Sequence, residues 1–488
     1  MELTDFSPLQ QKAILLKNTN ILVSAGAGSG KTAVLIQRLF EILKSGETTL
    51  DNLLVLTFTN FAAKELKIRL KEKLAGKHET QHFAGLVEAS DITTFDSFAL
   101  KIVKKYSYIL DLNPDISVFD NGLYNIKRRQ IIEDILREKY ESEDETLFSF
   151  VKIYLKNNDK DLVGLILDFD RKTGLEIDEE AFISNYVDQH YSDETFNRNI
   201  NEFCLYIRDQ ITLMDELTQL IAHDEVRAKY EEWMLNFSAL ATYEDYLKVI
   251  PGLRNASLGR KIDKEEYVDD EPLLKEIKDL FKKIKALLAG GPRECVREVY
   301  DREKWVCQFV VDIYREFSNR ISQFKKRYNV YTFSDIARFA YRIVSDQRVN
   351  SVIKAQYQYI LVDEYQDTSD IQEIFVQAIA RDNVYMVGDI KQSIYGFRNA
   401  NPKIFQSKYQ DYKHDKGGAL LNLVDNYRSR RQVVDGVNAM LNQIMTPTYG
   451  GADYRQSHQI GVGNVSFDGF LGGQSYELDV YEYTKDDQ

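Results

Sequence analysis

The sequence predicts an α/β fold built on a parallel sheet with a large helical insertion, and three observations carry that reading. Short apolar runs recur at Ile21-Leu22-Val23, Leu53-Leu54-Val55-Leu56, Ile360-Leu361-Val362 and Val384-Tyr385-Met386-Val387. They lack the polar alternation of a half-solvated strand, which is how strands buried on both faces read. Each ends in a polar or Gly-rich turn, the place where parallel sheets carry functional loops. Between Phe98 and Leu361, by contrast, 262 residues hold no proline from Asp115 to Ile250 and repeat apolar residues at helical spacing. Leu273, Ile277, Leu280, Ile284 and Leu287 form one such stripe, and Val310, Ile313, Phe317, Ile321 and Phe324 another.

The first run leads into Ser24-Ala25-Gly26-Ala27-Gly28-Ser29-Gly30-Lys31-Thr32 and then an amphipathic helix. Glycines let backbone N–H groups close around phosphates, Lys31 adds charge at the β/γ oxygens, and the Thr32 hydroxyl is placed to ligate Mg²⁺ at the helix N-terminus. The usual first glycine is Ala25. Alone, the loop says only that a nucleoside triphosphate binds, with Ala25 through Thr32 around it.

The second run is followed by Thr57-Phe58-Thr59-Asn60-Phe61, and a later stretch reads Thr93-Thr94-Phe95-Asp96-Ser97-Phe98. Phe58, Thr59, Asn60 and Thr94 combine hydroxyl, amide and aromatic groups suited to phosphate contacts and base stacking along a single strand. Helix capping by the hydroxyls is compatible with the same residues.

Past the insertion, Leu361-Val362-Asp363-Glu364-Tyr365-Gln366-Asp367-Thr368 supplies acid at a strand end. Asp363 reads as the metal carboxylate and Glu364 as the base that deprotonates water, because γ-phosphate hydrolysis depends on positioning and charge stabilisation. Adjacent acids at a strand end also serve as a solvated cap, and the phosphate loop is what favours catalysis. The fourth run ends in Gly388-Asp389-Ile390-Lys391-Gln392, followed by Ser393-Ile394-Tyr395-Gly396-Phe397-Arg398. Gln392 is placed to sense the γ-phosphate, while Phe397 and Arg398 offer an aromatic face and a cation to a nucleotide. After Gly417-Gly418, the strand-like Leu420-Leu421-Asn422-Leu423 opens another unit containing Asn426-Tyr427-Arg428-Ser429. There Arg428 is expected to reach the γ-phosphate across a cleft and Tyr427 to stack on adenine. The rest turns Gly-rich at Gly450, Gly451, Gly461, Gly463, Gly472 and Gly473.

Composition bounds the partners. The chain carries 63 Lys+Arg against 76 Asp+Glu, a net charge of −13, which argues against nucleic acid until its distribution is considered. Residues 1–110 carry +3, 355–413 carry −2 and 414–488 carry −4, so −10 falls in 111–354, away from the loops above. Cys204, Cys295 and Cys307 are odd in number and far apart, and with six histidines they make neither a disulfide framework nor a zinc cluster. The basic spots Lys282-Lys283 and Lys325-Lys326-Arg327 read as solvated faces before duplex contacts. No run approaches the ~18 apolar residues of a membrane span, and Met1-Glu2-Leu3-Thr4-Asp5 lacks a leader pattern, so no membrane partner and a cytoplasmic location are expected.

Taken in order, Gln10, AGAGSGKT (25–32), LTFTNFAAKEL (56–66), TTFDSF (93–98), LVDEYQDT (361–368), VGDIKQSIYGFR (387–398) and NYRS (426–429) resemble the superfamily 1A DNA helicases of the UvrD/Rep/PcrA type. The resemblance covers all but most of the insertion and the tail. It implies a RecA-like P-loop NTPase core, ATP and Mg²⁺ as cofactors, and 3′→5′ translocation on single-stranded or partly duplex DNA. It also implies that Gln10 reads the adenine edge, that Tyr427 stacks on it, and that Phe397 stacks on bases. The insertion, Tyr365 in the acidic motif, and Phe397 to Pro402 with Phe405, Lys408 and Tyr409 look most like the AddA/RecB helicase–nuclease subunits. A second helicase–nuclease subunit is then an expected partner. Asp96 departs from the family's usual residue, and no counterpart of the last helicase motifs or of a nuclease pattern is found before Gln488.

The expectation is therefore a discontinuous RecA-like domain at 1–110 and 355–413, a helical insertion at 111–354, and the start of a second RecA-like domain at 414–488. The chain reads as the N-terminal part of a longer enzyme in DNA repair or recombination. A nucleotide-dependent DNA-binding or scaffold module without efficient hydrolysis is the alternative, and a turnover assay separates the two. A small-molecule kinase is disfavoured because it leaves 387–398 and 426–429 unexplained.

Overall fold

The computed structural model describes residues 2–155, 160–174, 176–256, 264–446, 450 and 452–464, so Gly451, Gly472 and Gly473 lie outside the described residues. The chain divides into two compact units, one made of Met1–Asn125 with Phe324–Gln488, the other of Ile126–Gln323.

In the first unit the elements run α1 (Pro8–Leu15), β1 (Ile21–Ala25), α2 (Lys31–Lys44), β2 (Leu53–Thr57), α3 (Asn60–Ala75), β3 (Asp91–Thr94) and α4 (Phe95–Lys105). After the insertion come α5 (Phe333–Val344), β4 (Tyr359–Val362), α6 (Asp370–Ile379), β5 (Val384–Gly388), α7 (Pro402–Lys413), β6 (Ala419–Leu423) and α8 (Arg431–Ile444). The six strands form one sheet in the order β3-β2-β4-β5-β1-β6 with every pairing parallel. Because all strands run one way, the loops that follow them share the carboxyl edge. That edge collects every motif singled out above.

Strand periodicity explains why the apolar runs are continuous. Leu22, Leu54, Ile360 and Met386 enter one core, beside Phe98, Ile336 and Phe375 from the helices. Their neighbours Ile21, Val55, Leu361 and Tyr385 enter the opposite core, beside Val34, Leu39 and Leu66. Successive side chains point to opposite faces, so a strand covered on both sides must be apolar at every position. The α/β expectation with a parallel sheet holds, and Leu53↔Tyr359 and Ile21↔Tyr385 fix its register.

Two boundaries differ from the sequence reading. β6, taken there as the opening of a second domain, is the sixth strand of this sheet and pairs with β1 from Ile21↔Ala419 to Ala25↔Leu423. It gives β1 a partner on its second side and sends Leu421 and Leu423 into the same core as Val23. Residues 333–356, assigned there to the insertion, also belong with the sheet: Ile336, Ala340, Ile343, Val349 and Ile353 are buried with Phe98 and Ile102. Their helical period is the same as that of the insertion, so spacing alone does not separate them.

The second unit is built among its described residues from helices, including Asp193–Gln219, Glu271–Leu287 and most of Arg293–Tyr328. The expected stripes face inward: Ile277, Ile284, Ile313, Phe317 and Ile321 are buried, and Leu273 and Leu280 pack partly buried beside Ile277. Leu274, Ile277, Phe281 and Ile284 are buried, while Leu287 is 41% exposed. Phe309, Val311, Ile313, Tyr314, Phe317 and Ile321 are buried in the longer helix. Among the described residues no helix is long and apolar enough to cross a membrane.

Candidate active site at the carboxyl edge of the sheet

The loop between β1 and α2 is shaped by glycine. Gly28 has φ +73°, and a Cβ there would stand 2.7 Å from the Asn426 side chain, so both backbone and space demand glycine. Gly30, also at positive φ, precedes the first turn of α2. This presents successive backbone N–H groups at a helix N-terminus, where an anion is stabilised. Ser29 is 1% exposed, and its Oγ is buried without a hydrogen-bond partner. A loop that leaves a hydroxyl and a ring of amides turned inward fits a phosphate ligand.

Gln10 braces this loop from α1: its Nε2 donates to Ser29 O at 2.9 Å, and its Oε1 accepts from Ser7 N at 2.9 Å. Sequence reading assigned Gln10 to the nucleotide, and the structure places it directly against the phosphate-binding loop.

Lys31 gathers the catalytic candidates. Its Nζ lies 3.3 Å from Glu364 Oε2 and 3.4 Å from Gln392 Oε1, joining the ends of β4 and β5 to the loop after β1. Asp363 precedes Glu364 and accepts its backbone N–H at Oδ1 (3.0 Å). Burial, then the neighbouring Glu364 charge, push the Asp363 carboxyl up to about 6, against the pull of Lys31. A buried carboxylate raised in this way is one that a bound cation would relieve, and the Asp363 carboxylate and the hydroxyl of Thr32, the second residue of α2, are hard oxygen donors of the kind Mg²⁺ takes. Among the described residues no cluster of three His, Cys, Asp or Glu exists that would hold a metal without help from a ligand.

Several supporting residues were not identified from sequence. Gln366 is buried and donates to Glu364 Oε2 (2.9 Å) while accepting from Asp389 N (2.9 Å). Asp389, 1% exposed, ties down Lys391 (2.7 Å) and accepts from Gln392 Nε2 (2.7 Å), which fixes the Gln392 side chain. Asp367 is raised to about 6 by burial and then by Glu364. The available signal was the density of amides and acids immediately after two strand ends. Gly388 is the close-approach point between these loops: a Cβ would meet Gln366 Oε1 at 2.4 Å and the Gln366 and Tyr365 backbone nitrogens at 3.1 Å. Gly388→Ala is therefore expected to lose about 1–3 kcal/mol of stability from overpacking, read as a lower urea midpoint at unchanged slope.

The segment after β6 is stitched to the phosphate loop. Asn426 Nδ2 donates to Ala27 O (2.9 Å), Tyr427 N donates to Gly28 O (2.9 Å), and Asn426 Oδ1 accepts from Arg428 N (2.8 Å). Tyr427 is thus near the loop. Arg428 is exposed, and its guanidinium has no ion-pair partner among the described residues.

The nucleic-acid candidates divide. Phe58 packs against Tyr395 (ring centroids 4.6 Å), and Tyr395 against Phe397 (5.7 Å), which is 78% exposed. Phe61 and Ile394 are exposed at 76% and 70%. An exposed aromatic surface of this kind is able to stack bases. Thr59 is exposed but caps α3 through Ala62 N (3.1 Å), and Asn60 is exposed as the first residue of α3. Thr94 is buried and caps α4, bonding Ser97 N (3.3 Å) and Ser97 Oγ (2.9 Å). Burial puts capping before DNA contact for Thr94. The Arg398 side chain lies outside the described residues. Lys325 is bound to Asp335 at 2.7 Å, so it is not a free duplex contact. The three cysteines are unbridged.

Comparison with known proteins is consistent with this geometry. The UvrD/REP helicase N-terminal domain family matches residues 6–413. The chain is 31% identical to a Lactobacillus johnsonii protein named as an ATP-dependent helicase/nuclease subunit, over 94% of this chain and 42% of that protein. It is likewise 31% identical to the protein of that name from Clostridium novyi, covering 98% and 42%. For the Bacillus cereus protein of that name the identity is 29%, covering 93% and 40%. The chain thus spans about two fifths of the length of these relatives.

Proposed function

The chain belongs to the UvrD/REP helicase family, and from that premise we propose that it is the ATP-driven motor portion of a DNA helicase acting in repair or recombination. It moves 3′→5′ on single-stranded DNA, alone or at a duplex junction. The observation that carries the proposal is the meeting of Lys31, Glu364 and Gln392 within 3.3–3.4 Å at one edge of the sheet.

In this reading the amides of 26–30 and Lys31 hold the β/γ phosphates, Tyr427 stacks on the adenine, and Gln10 contacts its edge. Thr32 and Asp363 hold Mg²⁺, which when bound neutralises charge on the phosphate oxygens. Glu364 takes the proton of the attacking water, and Gln392, anchored by Asp389, registers the γ-phosphate. DNA lies over Phe58, Thr59, Asn60, Phe397 and Arg398, with Thr94 supporting from beneath. The relatives are named as subunits, which supports a partner in the form of a second helicase–nuclease subunit.

One observation favours the second reading, a nucleotide-dependent DNA-binding module without efficient hydrolysis: the Arg428 side chain is exposed. Phosphate release from Mg·ATP by the 488-residue chain, with and without oligothymidine, decides between them. DNA-stimulated turnover supports the motor, and tight binding of both ligands with no turnover supports the module. Either reading expects Phe397→Ala to weaken oligothymidine binding by about 1–3 kcal/mol, measured by fluorescence anisotropy, because a stacked base loses its platform. Unchanged affinity would remove the aromatic face from the DNA path.

A further inference from the structure

At the amino edge of the sheet, the loops that enter β1, β4 and β5 surround a cavity of about 410 Å³. The carboxyl ends of the same three strands lead to Lys31, Glu364 and Gln392, so this cavity is separate from the phosphate-binding loop.

Arg38 lines the cavity from α2 and is 3% exposed. Its Nη1 donates to Ala13 O (3.0 Å) and Ile14 O (3.1 Å) at the end of α1, and its guanidinium lies over the Tyr385 ring at 4.4 Å. Those contacts occupy one nitrogen and one face. Nε is buried without a hydrogen-bond partner, and among the described residues no carboxylate pairs with the charge. An arginine stays charged inside a protein, so a buried one without a counter-ion favours any anion that reaches it.

The other lining residues repeat the imbalance. Arg381 is exposed and makes no ion pair, and the side-chain amides of Gln358 and Asn18 are not engaged, among the described residues. Both acids that line the cavity are already engaged: Glu47 with Lys17 Nζ (2.6 Å) and Asp382 Oδ1 with Asn20 Nδ2 (3.2 Å). With Lys17 offsetting Glu47, the two guanidinium groups outnumber the remaining carboxylate of Asp382. Donors are in surplus and the net charge is positive.

We propose that this cavity binds a small oxyanion, a compound bearing a carboxylate or a phosphate group, with Arg38 and Arg381 as counter-charges and the Gln358 and Asn18 amides as further donors. A guanidinium presents its N–H groups in a fork that matches either kind of oxyanion. The cavity has the size of a small-molecule site and not of a surface that takes a macromolecule. The site does not depend on the helicase reading, because none of its residues belongs to the loops at the carboxyl edge.

The test follows hydrogen exchange in the 488-residue chain against rising sodium phosphate and, separately, sodium succinate, with sodium chloride holding the ionic strength constant. Exchange in 16–20 and 381–384 is expected to slow with a midpoint of about 1 mM for the preferred anion, the affinity that two charge-assisted hydrogen bonds sustain. Whichever anion acts at the lower concentration gives the class of compound, and either supports the site. Arg38 also holds α1, so its replacement tests folding as well as binding. Arg381 is exposed, and Arg381→Gln is expected to raise the midpoint in 16–20 about tenfold while leaving any response of the phosphate loop, 26–32, as in wild type. Slowing confined to 26–32 would place the anion on the phosphate loop and overturn the proposal. So would exchange in 16–20 and 381–384 that neither anion slows, or a midpoint that Arg381→Gln does not move.

Discussion

Glu364→Gln is expected to leave Mg·ATP bound and to slow its hydrolysis by about 10²–10⁴-fold, the usual worth of a positioned general base. The substitution keeps length and shape, and the amide can still accept from Lys31 or Gln366, whose nitrogens now stand 3.3 and 2.9 Å from Glu364 Oε2. What it removes is the ability to take a proton from water. Glu364 sits at the left-handed φ of +50° immediately after a strand, a conformation uncommon outside glycine that turns the side chain away from the sheet and toward Lys31. The expected pattern is a fall in kcat with analogue affinity unchanged, measured by phosphate release and by fluorescence titration. A loss smaller than about tenfold would show that Glu364 is an electrostatic neighbour of Lys31 and that the base is elsewhere. Asp367, raised to about 6 and linked to Glu364 through Gln366, would then be the next carboxylate to examine.

The candidate catalytic residues could be picked out of the sequence because the pattern that suggests them is local. A strand, a glycine turn and Lys31 occur within a dozen residues, and Asp363-Glu364 sit together at a second strand end. Residues whose roles depend on a partner far along the chain were not legible. Asn426 is needed where it is because its side chain packs beside Gly28, about 400 positions earlier, and Gln366 matters through Asp389 and the absent Cβ of Gly388. The place of β6 was missed for a related reason: a five-residue apolar run states that a strand is buried but not which sheet buries it. Thr94 shows how one hydroxyl carries two readings: the helix beginning at Phe95 uses it as its cap, the alternative that the sequence already offered beside a ligand contact.

Asp335→Ala is expected to destabilise the sheet unit by about 3–5 kcal/mol, the cost of removing one member of a buried charge group and leaving the others uncompensated. Asp335 is 7% exposed at the start of α5. Its Oδ2 accepts from Lys325 Nζ (2.7 Å), Thr332 N (2.9 Å) and Thr332 Oγ1 (2.7 Å), and its Oδ1 from Arg338 Nη2 (2.8 Å). The Lys325 and Arg338 side chains are themselves only 10% and 14% exposed, so neither cation has ready access to water once the carboxylate is gone. Burial alone would raise the Asp335 carboxyl, but Lys325 and then Arg338 outweigh it and hold it at about 2, below the ordinary 3.8. A folded-state value below the unfolded one means that the stabilisation is complete above about pH 4 and is lost as the pH falls toward 2. Urea unfolding at pH 7 and at pH 3 checks both halves: the gap between wild type and variant should be large at pH 7 and narrower at pH 3. A gap under about 1 kcal/mol at pH 7 would mean that water reaches the cations and that the cluster contributes as a surface pair does. The consequence extends to function, because α5 packs on α4, whose first turn is capped by Thr94 at the end of β3. Loosening α5 should therefore raise hydrogen exchange in 94–99 before it alters the Lys31–Glu364–Gln392 cluster, which is anchored by the central strands β1, β4 and β5.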